Sequence, residues 1–313
     1  MTIAKPQPPG LIDTINAGYT ALNRRPWVLC IPIVLDLYLW FGARVSLRPL
    51  FERLEASLTA SAVLAAADPQ QQALLLEWLQ YGDMRVPLAL LNYVPLALSR
   101  LSPDILPQSV GWLMITRLSE LGLALVVINA LALLWSSCYL TTLAGSVLNE
   151  PYTLATYVRR VWHVMCHIPA YLFILLSVGF LLGLPFLVLS ALIVGLFPSA
   201  TMMVLFTWFM AGFWIYIYTS FAVESILIDQ VGPLRAIYRS VHVVRRNFLS
   251  TIGLLLLCYV IIAGMGIVWQ SLAQHHPGLL LVIMLSAYVS TGLTTARLVF
   301  YRTCWLRWQG MPV

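Results

Sequence analysis

The chain has 313 residues, 60% of them hydrophobic and 10% charged, with a mean hydropathy of +0.86 and a formal charge of +6. Soluble domains carry about 25% charged residues, so a water-soluble globule is excluded by its lack of polar surface. The basic balance points to anionic lipid and not to nucleic acid, because the arginines gather at the ends of apolar segments.

Residues 1–9 are polar and proline-rich. From Gly10 to Asn23, Leu11, Ile12, Ile15, Tyr19 and Leu22 recur at helical spacing, which predicts a surface helix over 10–23. Arg24-Arg25-Pro26 opens a first membrane span, 26–45, interrupted by Asp36. No small-x-small cleavage site follows, so a signal peptide is not expected. Residues 46–117 form the one sizeable polar region, expected as a helical extracytoplasmic insertion. Segments 50–67 and 70–80 within it have helical character. Residues 86–98 are apolar but too short to span, and Pro87 and Pro95 break them; that length predicts a re-entrant or surface-lying segment.

A second span is predicted over 121–148, bounded by Glu120 and Glu150, followed by a surface helix over 151–167. From Ile168 to Val223 the chain then runs without one charged side chain. At about 1.5 Å per residue this stretch is far longer than one crossing of a hydrocarbon layer about 30 Å thick. Phe197-Pro198-Ser199 divides it into spans over 168–197 and 199–228, since proline removes a helix donor and restricts its predecessor. Gly232-Pro233 starts a surface helix over 233–248, and a fifth span follows over 251–269. The polar turn Gln274–Gly278 leads to a sixth, 279–300, and Arg302, Trp305, Arg307 and Trp308 form an interfacial tail. The fold class expected is all-α: a single polytopic membrane domain over 1–313 with six transmembrane helices.

With both termini in the cytoplasm, inner segments hold 12 of the 18 basic residues and the outer side holds six, all in or beside 46–117. The positive-inside bias acts through short loops, and the short outer turns carry none. The expected location is therefore the cell membrane, with both termini inside.

Sliding the chain along itself until Leu154 meets Leu234 also brings Arg159 onto Arg239, Val161 onto Val241 and Val164 onto Val244. Each unit is then an inward span, a basic surface helix and an outward span, and the first and sixth spans would close a pseudo-threefold ring. The stretch from Asp229 through Gly232-Pro233, Arg235-Ala236, Arg239-Ser240 and Arg245-Arg246-Asn247-Phe248 into an apolar span resembles the six-helix membrane domain attached to some bacterial membrane-bound glycerophosphodiester phosphodiesterases, and stand-alone bacterial membrane proteins of the same pattern. The resemblance covers Leu121 to the C-terminus. It implies a helical membrane fold and carries over no catalytic residues.

Asp36 falls about ten residues into the first span, where a lone carboxylate is costly, so it should face the bundle interior. It is either a proton or cation site in a transport path or a polar contact that fixes helix packing. Glu224 and Arg297 fall at similar depths in the fourth and sixth spans and are candidates for an ion pair. On a helical wheel of about 100° per residue, Arg235, Arg239, His242 and Arg246 share one side, with Leu234, Ile237, Val241, Val244 and Phe248 opposite. That pattern fits a helix half-sunk among anionic headgroups of the inner leaflet, or a docking face for a partner. His163 and His167 are four apart on one face, but Arg159 and Arg160 share it and oppose a bound cation, so no metal is expected. Cys30, Cys138, Cys166, Cys258 and Cys304 show no paired spacing. No phosphate loop or nucleophile elbow is present, and no cofactor is expected. The leading expectation is a non-enzymatic membrane protein that engages lipid or a membrane-protein partner as a scaffold or complex subunit. The alternatives are a small permease using Asp36 and, less favoured, an intramembrane enzyme.

Overall fold

The computed structural model describes residues 10–50, 53, 85–97, 111–149, 153–273 and 276–310. The segment 70–80 and all of 50–67 except Leu50 and Arg53 lie outside them, as do Glu150, Gln274 and His275.

In chain order the elements are α1 (Leu11–Asn23), a 3-10 turn (Pro26–Leu29), α2 (Cys30–Phe41), β1 (Arg44–Ser46), α3 (Arg85–Leu88), β2 (Trp112–Met114), α4 (Leu118–Leu148) and α5 (Leu154–Leu196). A second 3-10 turn (Pro198–Ala200) leads to α6 (Thr201–Thr219), α7 (Ala222–Asp229), α8 (Pro233–Arg246), α9 (Phe248–Ala273) and α10 (His276–Trp308). Among the described residues, five helical stretches are long and apolar enough to cross a membrane: Leu118–Leu148, Leu154–Leu196, Pro198–Asp229, Phe248–Ala273 and Gly278–Trp308. The expected first span, 26–45, is shorter in the structure. Its helix stops at Phe41, because Gly42 turns to an extended conformation.

Several expected boundaries differ. The surface helix at 151–167 and the span at 168–197 are one continuous helix, α5, started by Thr153, whose hydroxyl accepts the Thr156 N–H. Nothing between Arg160 and Ile168 offers the chain a stop; Pro169 only removes one donor, and α5 continues through it. The span at 199–228 is interrupted at Ser220–Phe221 between α6 and α7. Helix α4 begins earlier than expected, at Leu118, where the Glu120 carboxylate accepts the Thr116 and Arg117 N–H groups at 2.7 and 3.2 Å. Helix α9 extends past both expected ends. The interfacial tail is the C-terminal end of α10. The fold is not purely helical either. β1 and β2 form a parallel two-stranded ladder, with Arg44 opposite Trp112 and Ser46 opposite Met114; it joins the end of the expected first span to the region expected to be a helical insertion.

The chain sorts into two compact units. The first comprises residues 1–25, 140–260 and 292–313. Here α1 lies directly against α10. A Cβ added to Gly18 would stand 2.5 Å from the Ala296 backbone, and one added to Gly292 would overlap the Tyr19 ring. Helix α1 is thus clamped to a protein surface by two small-residue contacts. In the same unit Tyr171, Ala222, Ile226 and Ala236 join α5, α7 and α8 in one core. The α5–α6 hairpin is fastened by Trp208, which packs on Phe186 with ring centres 4.8 Å apart and donates to Ser190 at 3.2 Å.

The second unit comprises residues 26–139 and 261–291. Its larger core gathers Leu39, Ala97, Trp269, Ala273, Leu279, Val282 and Ile283, so the first and sixth expected spans share one cluster. A smaller core of Val45, Leu50 and Ile115 lies beside the ladder.

Candidate functional site

In the first unit the site grows out of the helix break at Ser220–Phe221. A break in a buried helix frees carbonyls and N–H groups that need partners. Ser240 of α8 donates its hydroxyl to the Tyr218 carbonyl at 2.7 Å and accepts the Phe221 N–H at 3.0 Å. Arg297 of α10 donates to the Ser220 carbonyl at 2.6 Å. The same Arg297 nitrogen lies 2.6 Å from the Glu224 carboxylate, so the two residues matched by depth in the sequence are brought together. Glu224 is 6% exposed.

Beyond Glu224, α7 ends with Gln230 in the left-handed region, φ 51°. This places Asp229 between two donors: the Tyr301 hydroxyl at 2.6 Å and the Arg239 guanidinium at 2.5 Å. The Arg239 guanidinium sits over the Trp305 ring at 4.4 Å, and Arg246 over Trp308 at 5.9 Å. His242 meets Trp308 edge-on, with ring centres 4.8 Å apart. Part of the cationic side of α8 therefore packs against aromatic rings of α10, because α10 runs on to Trp308. The buried face of α8 is Ala236, Ser240, Val243 and Val244, while Leu234, Arg235, Tyr238, Arg245 and Arg246 are exposed.

Two open cavities lie beside these contacts. One, of about 520 Å³, is lined by Asp13, Asn16, Thr20 and Arg24 of the α1 segment and by Arg302 and Thr303 of α10. The other, of about 370 Å³, is lined by Asp229, Arg239, Trp305 and Gln309, and shares Arg302 and Leu306 with the first. Arg302 donates one Nη to the Val147 carbonyl at 2.5 Å, closing the last turn of α4.

His163 and His167 stack with ring centres 3.8 Å apart, and His167 Nδ1 lies 2.8 Å from the His163 carbonyl. Arg159 is exposed and Arg160 half-buried on the same helix. Among the described residues no three His, Cys, Asp or Glu side chains converge as metal ligands do.

In the second unit Asp36 is fully buried, and both its oxygens accept the Ala97 N–H, at 3.1 and 3.0 Å. It is one of three side chains that satisfy a non-helical stretch after α3. Asn129 donates to the Leu88 carbonyl and accepts the Leu91 N–H, and Ser136 accepts the Tyr93 N–H. Arg85 donates to the carbonyls of Tyr38 and Leu39 at the end of α2. Buried irregular backbone needs protein groups to take its hydrogen bonds, and these four residues do so.

Sequence reasoning missed Asp229, Tyr301, Arg302, Asn129, Ser136 and Arg85. Asn129 carried a readable signal, being the one side-chain amide in the run from Leu118 to Leu148. No family model matches this chain, nor does any curated protein or solved structure.

Proposed function

We propose that the chain is a non-enzymatic multi-pass membrane protein that engages anionic lipid at the cytoplasmic face and acts as a scaffold or a subunit of a membrane complex. The observation that carries this reading is the surface of α8. Leu234 and Tyr238 are exposed there, at 68% and 64%, beside Arg235, Arg245 and Arg246, and Leu249 follows at 83%. Large apolar groups exposed among arginines suit the boundary between acyl chains and phosphates, where each cation contributes about 1 kcal/mol. The arginine distribution supports placing both termini and α8 inside. Six crossings, with Pro26–Phe41 the shortest, fit that orientation and the resemblance to the six-helix domain. Burial of Asp36 against backbone favours a packing role over a transport path.

The test is lipid retention in nanodiscs of phosphatidylcholine and phosphatidylglycerol. Arg235→Gln with Arg245→Gln is expected to lower the phosphatidylglycerol held around the purified chain. Equal retention by the variant and the original chain would overturn the reading.

A further inference from the structure

We propose that the cavity between α1 and the last turns of α10 binds a phosphate ester, one per chain. The inference deepens the lipid-engaging reading and rests on it for the membrane as source. Asn16, Thr20 and Arg24 stand on successive turns along α1 and its C-terminal cap, and line the cavity opposite Arg302 and Thr303. The packing of Gly18 on Ala296 and Tyr19 on Gly292 holds the two walls together.

The charges around the two cavities differ in what they are engaged with. In the smaller one, Asp229, Arg239 and Tyr301 satisfy one another. In the larger one, the single carboxylate, Asp13, accepts the Gly10 N–H at 3.2 Å and caps its own helix. Arg302 gives one donor to Val147, and the rest of its guanidinium fork is available. Arg24 is exposed, and its guanidinium has no ion pair or hydrogen bond among the described residues. What the cavity offers a ligand is two arginine forks with two hydroxyls and an amide between them. That donor set matches the oxygens of a phosphate monoester or diester, which guanidinium groups bind with paired hydrogen bonds. A cation would meet two arginines, and an apolar ligand would leave their donors unmet. The ester is supplied either by a lipid headgroup or by a soluble phosphorylated metabolite.

The experiment uses the full chain in nanodiscs and counts bound ligand by native mass spectrometry. One arm carries phosphatidic acid in phosphatidylcholine; the other is pure phosphatidylcholine titrated with glycerol 3-phosphate. The original chain is expected to hold one phosphate ester, and Arg24→Gln to bind about tenfold more weakly, the loss of one charge-assisted contact. Thermal unfolding of the variant should be unchanged, because the Arg24 side chain is exposed and bonds nothing among the described residues. Retention of phosphatidic acid alone upholds the proposal with a lipid source, and binding of both probes upholds it with the headgroup sufficient. No binding of either probe, or equal binding by Arg24→Gln, overturns it. Arg235→Gln with Arg245→Gln should leave this single site intact. Glycerol 3-phosphate needs no anionic surface, so failure of the lipid reading and failure of the cavity are told apart.

Discussion

Arg297 bonds the Ser220 carbonyl and the Glu224 carboxylate from one guanidinium nitrogen, 2.6 Å from each. An ion pair and the repair of a broken helix are therefore a single structure. Removing the arginine leaves a buried carboxylate and an open carbonyl together. Arg297→Met should destabilise the fold by about 3 kcal/mol, at the lower end for a buried pair because 30% of the arginine side chain stays accessible. Adding Glu224→Gln should recover part of that loss. Thermal unfolding in detergent checks both; a double variant no better than Arg297→Met would show that the unpaired charge is not the cause.

Asp36→Ala removes the acceptor of the Ala97 N–H, whereas Asp36→Asn keeps one oxygen there. The alanine variant should lose about 1–3 kcal/mol and raise amide hydrogen exchange across residues 88–97. The asparagine variant should lose less. If exchange in that segment were the same in all three proteins, Asp36 would not be its anchor.

At Gly18 the first added carbon would meet the backbone of Ala296. Gly18→Ala is expected to cost about 1–3 kcal/mol by overpacking and to lift α1 from α10. Trypsin would then cut faster between Arg24 and Arg25. An unchanged cleavage rate would mean that α1 tolerates a wider seat.

Orientation is read most directly with reporter fusions. A reporter at residue 80 should be active only outside the cytoplasm, and one at the C-terminus only inside. The reverse pattern would invert the proposed placement of α8.

The hairpin was legible because its signals are local: no charge from Ile168 to Val223, and a proline at the turn. Glu224 and Arg297 could be matched because a helical rise of about 1.5 Å per residue turns sequence position into depth. The Asp229–Tyr301 contact was not readable once the sixth span was expected to end at Phe300, since its partner then fell next to an interfacial tail. The pairing of Arg44–Ser46 with Trp112–Met114 joins segments distant in the chain, and neither is long enough to show strand periodicity. The missed stop at His167 has a different cause. The internal offset that sets Leu154 on Leu234 equates it with Asn247, but only Asn247 has an amide that turns back on the Val243 carbonyl and ends its helix.

That difference separates two kinds of tolerance to changes in chain length. Helix α5 has 43 residues in one register, so a residue inserted near His167 would rotate everything beyond it by about 100° and swing Trp208's partners to the wrong side. The same insertion at Asn247 would be absorbed by the break. Natural or engineered length variants should therefore accumulate at the second junction and be purged from the first.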